Sequence, residues 1–460
     1  MTYDSPMNAD SEALLPPGPR IPPAAQIVNW LYRPLDFLER NRDRFGDSFS
    51  VRFPGFGSPM VLISHPDHVA EMFSQRENGL PPGRTLALEP ILGPRSVLLL
   101  EGAEHMARRK LMLPPFHGER MRAYEEQIEA IVETEIESWP LDAEFPIHTR
   151  MQAITLEVIL NAVFGVSDER RRDQLRPLLA ELLNGTASAA LQLRFLLSRR
   201  IPQLKDPLVE LRRRLEGADR LLALEAAERR ADPELQSRTD ILSMMVAARF
   251  EDGEPMSDSE LRDQLMTLLV AGHETTATAL AWSFDLLLRN PEQLSRLQEE
   301  VRGGAGEEYL RATISEALRL RPVIPLAGRR LAHPMEVNGY HLPPGTDVAP
   351  AIWLTHTRPE TYPDPLAFRP ERFLEEGPET YSWIPFGGGI RRCLGAAFAE
   401  FEMRVVLRAV LGRCELEGVR KAPERIARRN VTFSPKRGTP VRIRRRGPRP
   451  SSPQRAPTPA

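Results

Sequence analysis

Phe386-Gly387-Gly388-Gly389-Ile390-Arg391-Arg392-Cys393-Leu394-Gly395 is the stretch from which the chain is best read. Three consecutive glycines let the backbone come close to something flat and large, and allow positive φ where a side chain would clash. Cys393 stands just before a predicted apolar helix that runs to about Leu411. Free N–H groups and the helix dipole favour a thiolate there. One cysteine without a CxxC pair or a neighbouring histidine cannot build a zinc or iron–sulfur site. It does suit haem iron, because the porphyrin supplies the other four ligands in its plane. The ordinary alternative is a buried cysteine after a tight turn.

Working outward, helical periodicity repeats from His105 to about Arg302, with a hairpin predicted earlier from Ser48–Phe53 and Met60–Ser64. The longest helix is predicted from about Ser257 to Asn290, opening on the capping box Ser257-x-x-Glu260 and stopped by Pro291. At that length it should cross the core of a large domain. A helix over Glu307–Leu320, short strands near Met335–Val337 and Asp347–Ile352, and a Pro- and aromatic-rich coil to Pro385 follow. The pattern predicts one mainly α domain with a small β-rich part.

Composition narrows the function classes. The chain has 460 residues, 41% apolar, with a formal net charge of −2. That is enough apolar content for a core, and a near-neutral balance does not suit a nucleic-acid binder. No run of about 20 apolar residues suggests a transmembrane helix, and Met1–Leu15 lacks the features of a signal peptide. A cytoplasmic protein without a membrane anchor is expected. The stretch 16–23 reads as a polyproline-like lead-in. Cys414 has no glycine setting and reads as packing.

Together with the cysteine loop, three further segments occur in order. Ala271-Gly-His-Glu274-Thr275-Thr276 lies midway along the longest helix, where a glycine costs about 1 kcal/mol relative to alanine. A buried Glu–Thr pair there is costly unless used. The plain alternative is a threonine bonding back one turn, with the glutamate on a solvated face. Glu316-Ala-Leu-Arg319 sets opposite charges on one helix face, and Arg372 follows in Phe368-Arg-Pro-Glu-Arg372-Phe373. His105-x-x-x-Arg109 projects two cationic donors from one face.

These segments resemble the cytochrome P450 family, in its bacterial-type, stand-alone form, over about residues 16–443. The resemblance implies that Cys393 is the axial thiolate of a haem b held without covalent attachment, with Phe386 packed beside it. His105, Arg109, Arg391 and Arg329 would grip the haem propionates, with Arg330 competing for the last place. Thr275 would hydrogen-bond the activated oxygen where the helix opens locally, and Glu274 would help relay protons to it. His273 reads as a packing residue ahead of a relay. Glu316, Arg319 and Arg372 would form a structural triad behind the cysteine loop.

The implied activity is monooxygenation: one atom of O2 enters a hydrophobic small molecule, by hydroxylation or epoxidation, and the other leaves as water. Only 67 residues follow Cys393, and no flavin or nicotinamide fingerprint occurs. Electrons are therefore expected from separate chains, a ferredoxin and ferredoxin reductase, with the enzyme a monomer. Arg108, Lys110, Arg392, Arg404 and Arg408 are the candidates for a basic docking face. The pocket ceiling is expected from Leu88–Leu100, 180–205, Leu268–Ala271, Val323–Ala327 and the turn near Phe433. The expected divisions are a disordered N-terminus (1–15), the haem domain (16–443) and a disordered basic tail (444–460).

Overall fold

The computed structural model describes residues 15–448 except 54–58, 77–78, 81–88, 117–119, 167, 187–208, 305, 376, 378 and 430. In chain order the elements are α1 (Pro23–Tyr32), α2 (Pro34–Phe45), β1 (Ser48–Val51), β2 (Met60–Ile63), α3 (Pro66–Ser74), α4 (Gly102–Met112), α5 (Arg120–Glu137), β3 (Glu144–Pro146) and α6 (Ile147–Val158). Then come α7 (Glu169–Thr186), α8 (Val209–Ala231), α9 (Ile241–Ala247), α10 (Asp258–Arg289), α11 (Pro291–Gly303), α12 (Glu308–Leu320), β4 (Arg329–Arg330), β5 (Met335–Val337), β6 (Tyr340–Leu342), β7 (Asp347–Pro350) and α13 (Ile352–His356). The chain closes with α14 (Ala396–Arg413), β8 (Cys414–Gly418), β9 (Ile426–Arg429), β10 (Thr432–Pro435) and β11 (Pro440–Arg446). The architecture is mainly α with small sheets, as the periodicity predicts.

α10 organises the rest. Ser257 caps it and forms the predicted box with Glu260. Its 32 residues span about 48 Å, and α6, α12, α14 and β10 all pack against it. Its second half is buried on nearly every side: Ala277, Leu280, Ala281, Phe284 and Leu287 are fully buried, as are the polar Thr278 and Ser283. A helix buried on nearly every side belongs inside a large core, not on a surface. Each of the larger side chains contributes about 1.5–3 kcal/mol by leaving water.

β1 and β2 form the predicted hairpin, extended by β7 and β4 in the order β1-β2-β7-β4. The strand predicted through Ile352 is shorter, because Ile352 opens α13. Beyond α14, β8 and β3 flank β11, and β9 pairs with β10; no strand was expected in this region. β11 runs to Arg446, so residues 444–446 are strand and not tail. Arg444 reaches Glu417 and Asp142, and Arg445 reaches Glu415. Leu15 is likewise buried, in the cluster with Val61, Ile63 and Ile384. Residues 1–14 and 449–460 lie outside the described residues, as do Leu88 and 187–205 of the expected pocket ceiling. No helix among the described residues is long and apolar enough to cross a membrane.

Candidate active site

The cysteine loop is fixed by its backbone. Cys393 N–H donates to the Phe386 carbonyl at 2.9 Å, closing the turn. Gly389 has φ +64°, and any Cβ there would collide with the backbone carbonyl of Phe73; one at Gly388 would strike the Phe73 ring. Glycine is required at both positions by this close approach. Phe386 packs edge to face on Trp383, 6.1 Å between ring centres.

Cys393 is exposed as a residue. Protein crowds its thiol, and this desolvation raises the thiol pKa above its ordinary value. The Gly395 N–H and the charges of Arg109 and Arg392 oppose that shift. The N–H near the helix start thus favours the thiolate, as the sequence predicts, but burial outweighs it. Cys414 opens β8 fully buried, and desolvation pushes its pKa up to about 11, so it is inert packing.

Two arginines near this thiol lack carboxylate partners. Arg109 on α4 is partly buried, desolvation lowers its pKa, and Cys393 and Arg392 are the charges it feels most. Arg391 donates to the Leu100 carbonyl at 2.7 Å, while its buried Nε has no hydrogen-bond partner. Neither forms an ion pair with any described residue. His105 is buried one turn before Arg109. Arg329 is 5% exposed and lies over the Phe73 ring. Its competitor Arg330 is committed to Asp347 at 2.9 Å. Glu101 is the carboxylate whose charge Arg391 feels, without an ion pair to it. A thiol beside desolvated arginines that form no ion pair, Arg109 and Arg391, is a donor set suited to a metal-bearing group with acidic substituents.

Near its middle α10 shows an accessible stripe in a mostly buried length. Leu268, Ala271, Gly272 and Thr275 follow i, i+3, i+4, i+7 spacing and keep solvent contact. The helix is continuous here and does not open, and the Thr275 hydroxyl donates back to the Ala271 carbonyl. Glu274 turns off the stripe. Its Oε2 accepts from Gln152 Nε2 at 2.7 Å, and Oε1 lies 3.6 Å from His148 and 3.7 Å from Arg429. It is therefore not on a solvated face. His273 is buried, bonded to the Gln152 carbonyl at 3.0 Å, and desolvation lowers its pKa to about 4. It packs.

The predicted triad is assembled. Arg319 clasps Glu316 through two bonds of 2.6 and 2.8 Å, both side chains fully buried, and Arg372 Nε stands 3.5 Å away. His356, which the sequence reading missed, completes the link. Its Nδ1 faces the Arg319 carbonyl and its Nε2 accepts from Ile384 N–H, two residues before Phe386. Desolvation holds it neutral, with a pKa of about 3. Nothing local in Trp353-Leu-Thr-His356 announces that role.

Also unforeseen is the anchoring of residues 93–97 onto α10. Ser96 meets Thr267 at 2.7 Å, Val97 N–H donates to Gln264, and Arg95 N–H donates to Asp263. Of the expected ceiling, Leu98–Leu100 and Leu268 keep partial exposure. At the expected turn, Phe433 itself is buried against Trp30, 5.6 Å between ring centres.

Residues 16–440 match the family model described as Cytochrome P450. The chain is 43% identical over 446 residues to cytochrome P450 135B1 of Mycobacterium tuberculosis, covering 95% of this chain and 93% of that protein. It is 44% identical over 402 residues to cytochrome P450 137 of the same species, covering 87% and 84%. Among solved structures, the retinoic acid-bound cyanobacterial CYP120A1 superposes with a TM-score of 0.79 at 26% identity, covering 93% of this chain and 99% of that one. The cytochrome P450DA haem domain shares the fold, with a TM-score of 0.81 at 22% identity over 94% and 98% of the two chains. The chain belongs to the cytochrome P450 family, whose members are haem-thiolate monooxygenases.

Proposed function

We propose that Cys393 is the axial thiolate of a haem b, and that the protein hydroxylates or epoxidises a hydrophobic small molecule. The observation that carries this reading is the exposed Cys393 on its glycine-clamped loop, beside Arg109 and Arg391, neither of which forms an ion pair among the described residues. When bound, the haem supplies the activation of O2, one atom of which enters the substrate while the other leaves as water. Arg109, Arg391 and Arg329, with His105, would hold its acidic substituents. The Phe386 carbonyl fixes the Cys393 backbone, and Phe386 shields the sulfur. Thr275 presents its hydroxyl on the accessible stripe, and Glu274 supplies protons to it. Leu98–Leu100, Leu268 and Ala271 exclude water and favour an apolar substrate. The retinoic acid held by the cyanobacterial neighbour supports that class.

Electrons come from a redox partner, here proposed to be a ferredoxin with its reductase, the protein acting as a cytoplasmic monomer whose haem domain spans about 16–443. The basic face expected to receive the ferredoxin is mostly neutralised. Arg108 pairs with Glu260, Lys110 with Glu251, Arg404 with Glu307, and Arg408 with Glu125, Glu129 and Glu307. Arg392 is the member that stays exposed without an ion pair among the described residues. Docking then rests on shape near Cys393 more than on long-range charge.

The reduced, CO-bound absorption spectrum tests the central assignment. Haem-loaded protein should show the thiolate-type Soret band, and Cys393→Ala should lose it entirely. A band retained in that variant, or absent from the haem-loaded native chain, overturns the assignment.

A further inference from the structure

Glu274 sits in a cradle built from three elements. Gln152 of α6 donates to Oε2 at 2.7 Å, and the Thr278 hydroxyl, one turn on along α10, lies 3.4 Å from Oε1. His148 of α6 and Arg429 of β9 flank Oε1 at 3.6 and 3.7 Å. Thr278 also meets His148 Nε2 and the Ser434 hydroxyl, each at 3.2 Å, and Ser434 meets Thr432 at 3.2 Å. Burial keeps His148, with a pKa of about 3, and His273, at about 4, neutral near pH 7. Arg429, partly exposed, is the cation within ion-pair distance of this carboxylate among the described residues.

The chemistry of the partners is the telling feature. An amide, a hydroxyl and a neutral imidazole can each either donate or accept a hydrogen bond. Gln152 and Thr278, the latter backed by His148, can therefore satisfy Glu274 as a carboxylate and, after an amide flip or hydroxyl rotation, as a carboxylic acid. A buried acid kept only for structure needs fixed donors. Glu316 has them: Arg319 twice and the Arg369 N–H. Neither charge state of Glu274 leaves an unsatisfied buried group, the penalty that otherwise pins such an acid in one state.

We propose that Gln152 and Arg429 are positioning residues for proton delivery, holding Glu274 by separate oxygens in a cradle that accepts both of its protonation states. This rests on the reading of Glu274 as the proton supplier. In the step, protonated Glu274 releases one partner, swings from its cradle to the stripe that carries Thr275 and gives its proton to the Thr275 oxygen, whose own hydroxyl proton leaves its bond to the Ala271 carbonyl for the accessible side of the stripe. Glu274 returns to the carboxylate, and solvent at the exposed edge of Arg429 restores the proton.

The test uses the haem-loaded full chain with a plant-type ferredoxin and its reductase as surrogate donors. Hydrogen peroxide released per nicotinamide oxidised reports failed proton delivery. Infrared difference bands, assigned to Glu274 by their loss in Glu274→Gln, report its carboxylate without turnover. Glu274→Gln should raise the peroxide ratio, and Gln152→Met and Arg429→Gln should each raise it by roughly threefold. Both should shift the Glu274 bands while the CO band stays in place, and Arg429→Lys should restore most of the native ratio. If Glu274→Gln raises the ratio but Gln152→Met and Arg429→Gln move neither ratio nor bands, the positioning role falls and the relay stands. If Glu274→Gln changes nothing, the relay itself falls and this inference with it. Should one of the two variants fail to load haem, the other decides.

Discussion

Glu316 on α12 receives hydrogen bonds only from groups that keep their protons, whereas Glu274 on α10 is surrounded mainly by groups that can trade them. The first acid is fully buried, clasped by Arg319 and capped by the Arg369 N–H. The second keeps 17% of its side chain exposed and meets Gln152, Thr278 and His148. The contrast separates the two sides of the site. Behind Cys393 the protein locks charge in place, as the proposed ligand loop requires. Around Glu274 the partners tolerate a changing charge, as the proposed proton delivery requires.

The largest effect expected from breaking the contrast is on the locked side. Arg319→Leu strands the Glu316 carboxylate in the core, and loss of one partner of a buried pair costs about 3–5 kcal/mol. Urea unfolding should show a much lower midpoint, with poor haem retention. A midpoint near that of the native chain would mean that the pair is not a buttress.

Three neutral buried histidines add a pH dependence. His356 and His148 have folded pKa values of about 3 and His273 about 4, against 6.5 when unfolded. The unfolded chain therefore binds more protons below pH 6.5, and stability present above that pH is lost as pH falls toward 4. Each group contributes up to about 1.4 kcal/mol per pH unit. Unfolding free energies at pH 7 and pH 5 should differ accordingly, and His356→Gln should flatten the slope. An unchanged slope in that variant would show that His356 is not held neutral.

On the exchanging side, Thr275→Ala should leave the CO band and the stability nearly as they are, since it removes one partly exposed hydroxyl. It should raise peroxide release per nicotinamide by roughly threefold. No change in that ratio would leave Thr275 with only its back-bond to Ala271. The smallest effect concerns salt. With Arg108, Lys110, Arg404 and Arg408 already ion-paired, raising ionic strength from about 0.05 to 0.3 M should alter ferredoxin-supported turnover by less than about twofold. A steep fall would restore the electrostatic docking face.

Much of this was legible before any coordinates. The cysteine loop, the capped length of α10 and the Glu316–Arg319 pair are local patterns, set by residues a few positions apart. The charge state and company of the same residues were not. Gln152 and Glu274 are 122 positions apart, and Arg108 and Glu260 are 152 apart. His356 reaches Ile384 across 28. Strands β8 to β11 escaped notice because arginine and glutamate dominate β8 and β11, whose stability comes from cross-strand pairing such as Arg445 with Glu415.

What the sequence by itself determined is the presence of the cysteine loop, its glycines, and the long capped helix α10, because local sterics and hydrophobic period are written in neighbouring residues. Only the tertiary structure decided which arginines are left without carboxylates, that Phe433 packs inward, and that Glu274 lies among partners able to donate or accept. Electrostatic pairing and desolvation depend on distances through space, and no residue pattern along the chain carries those.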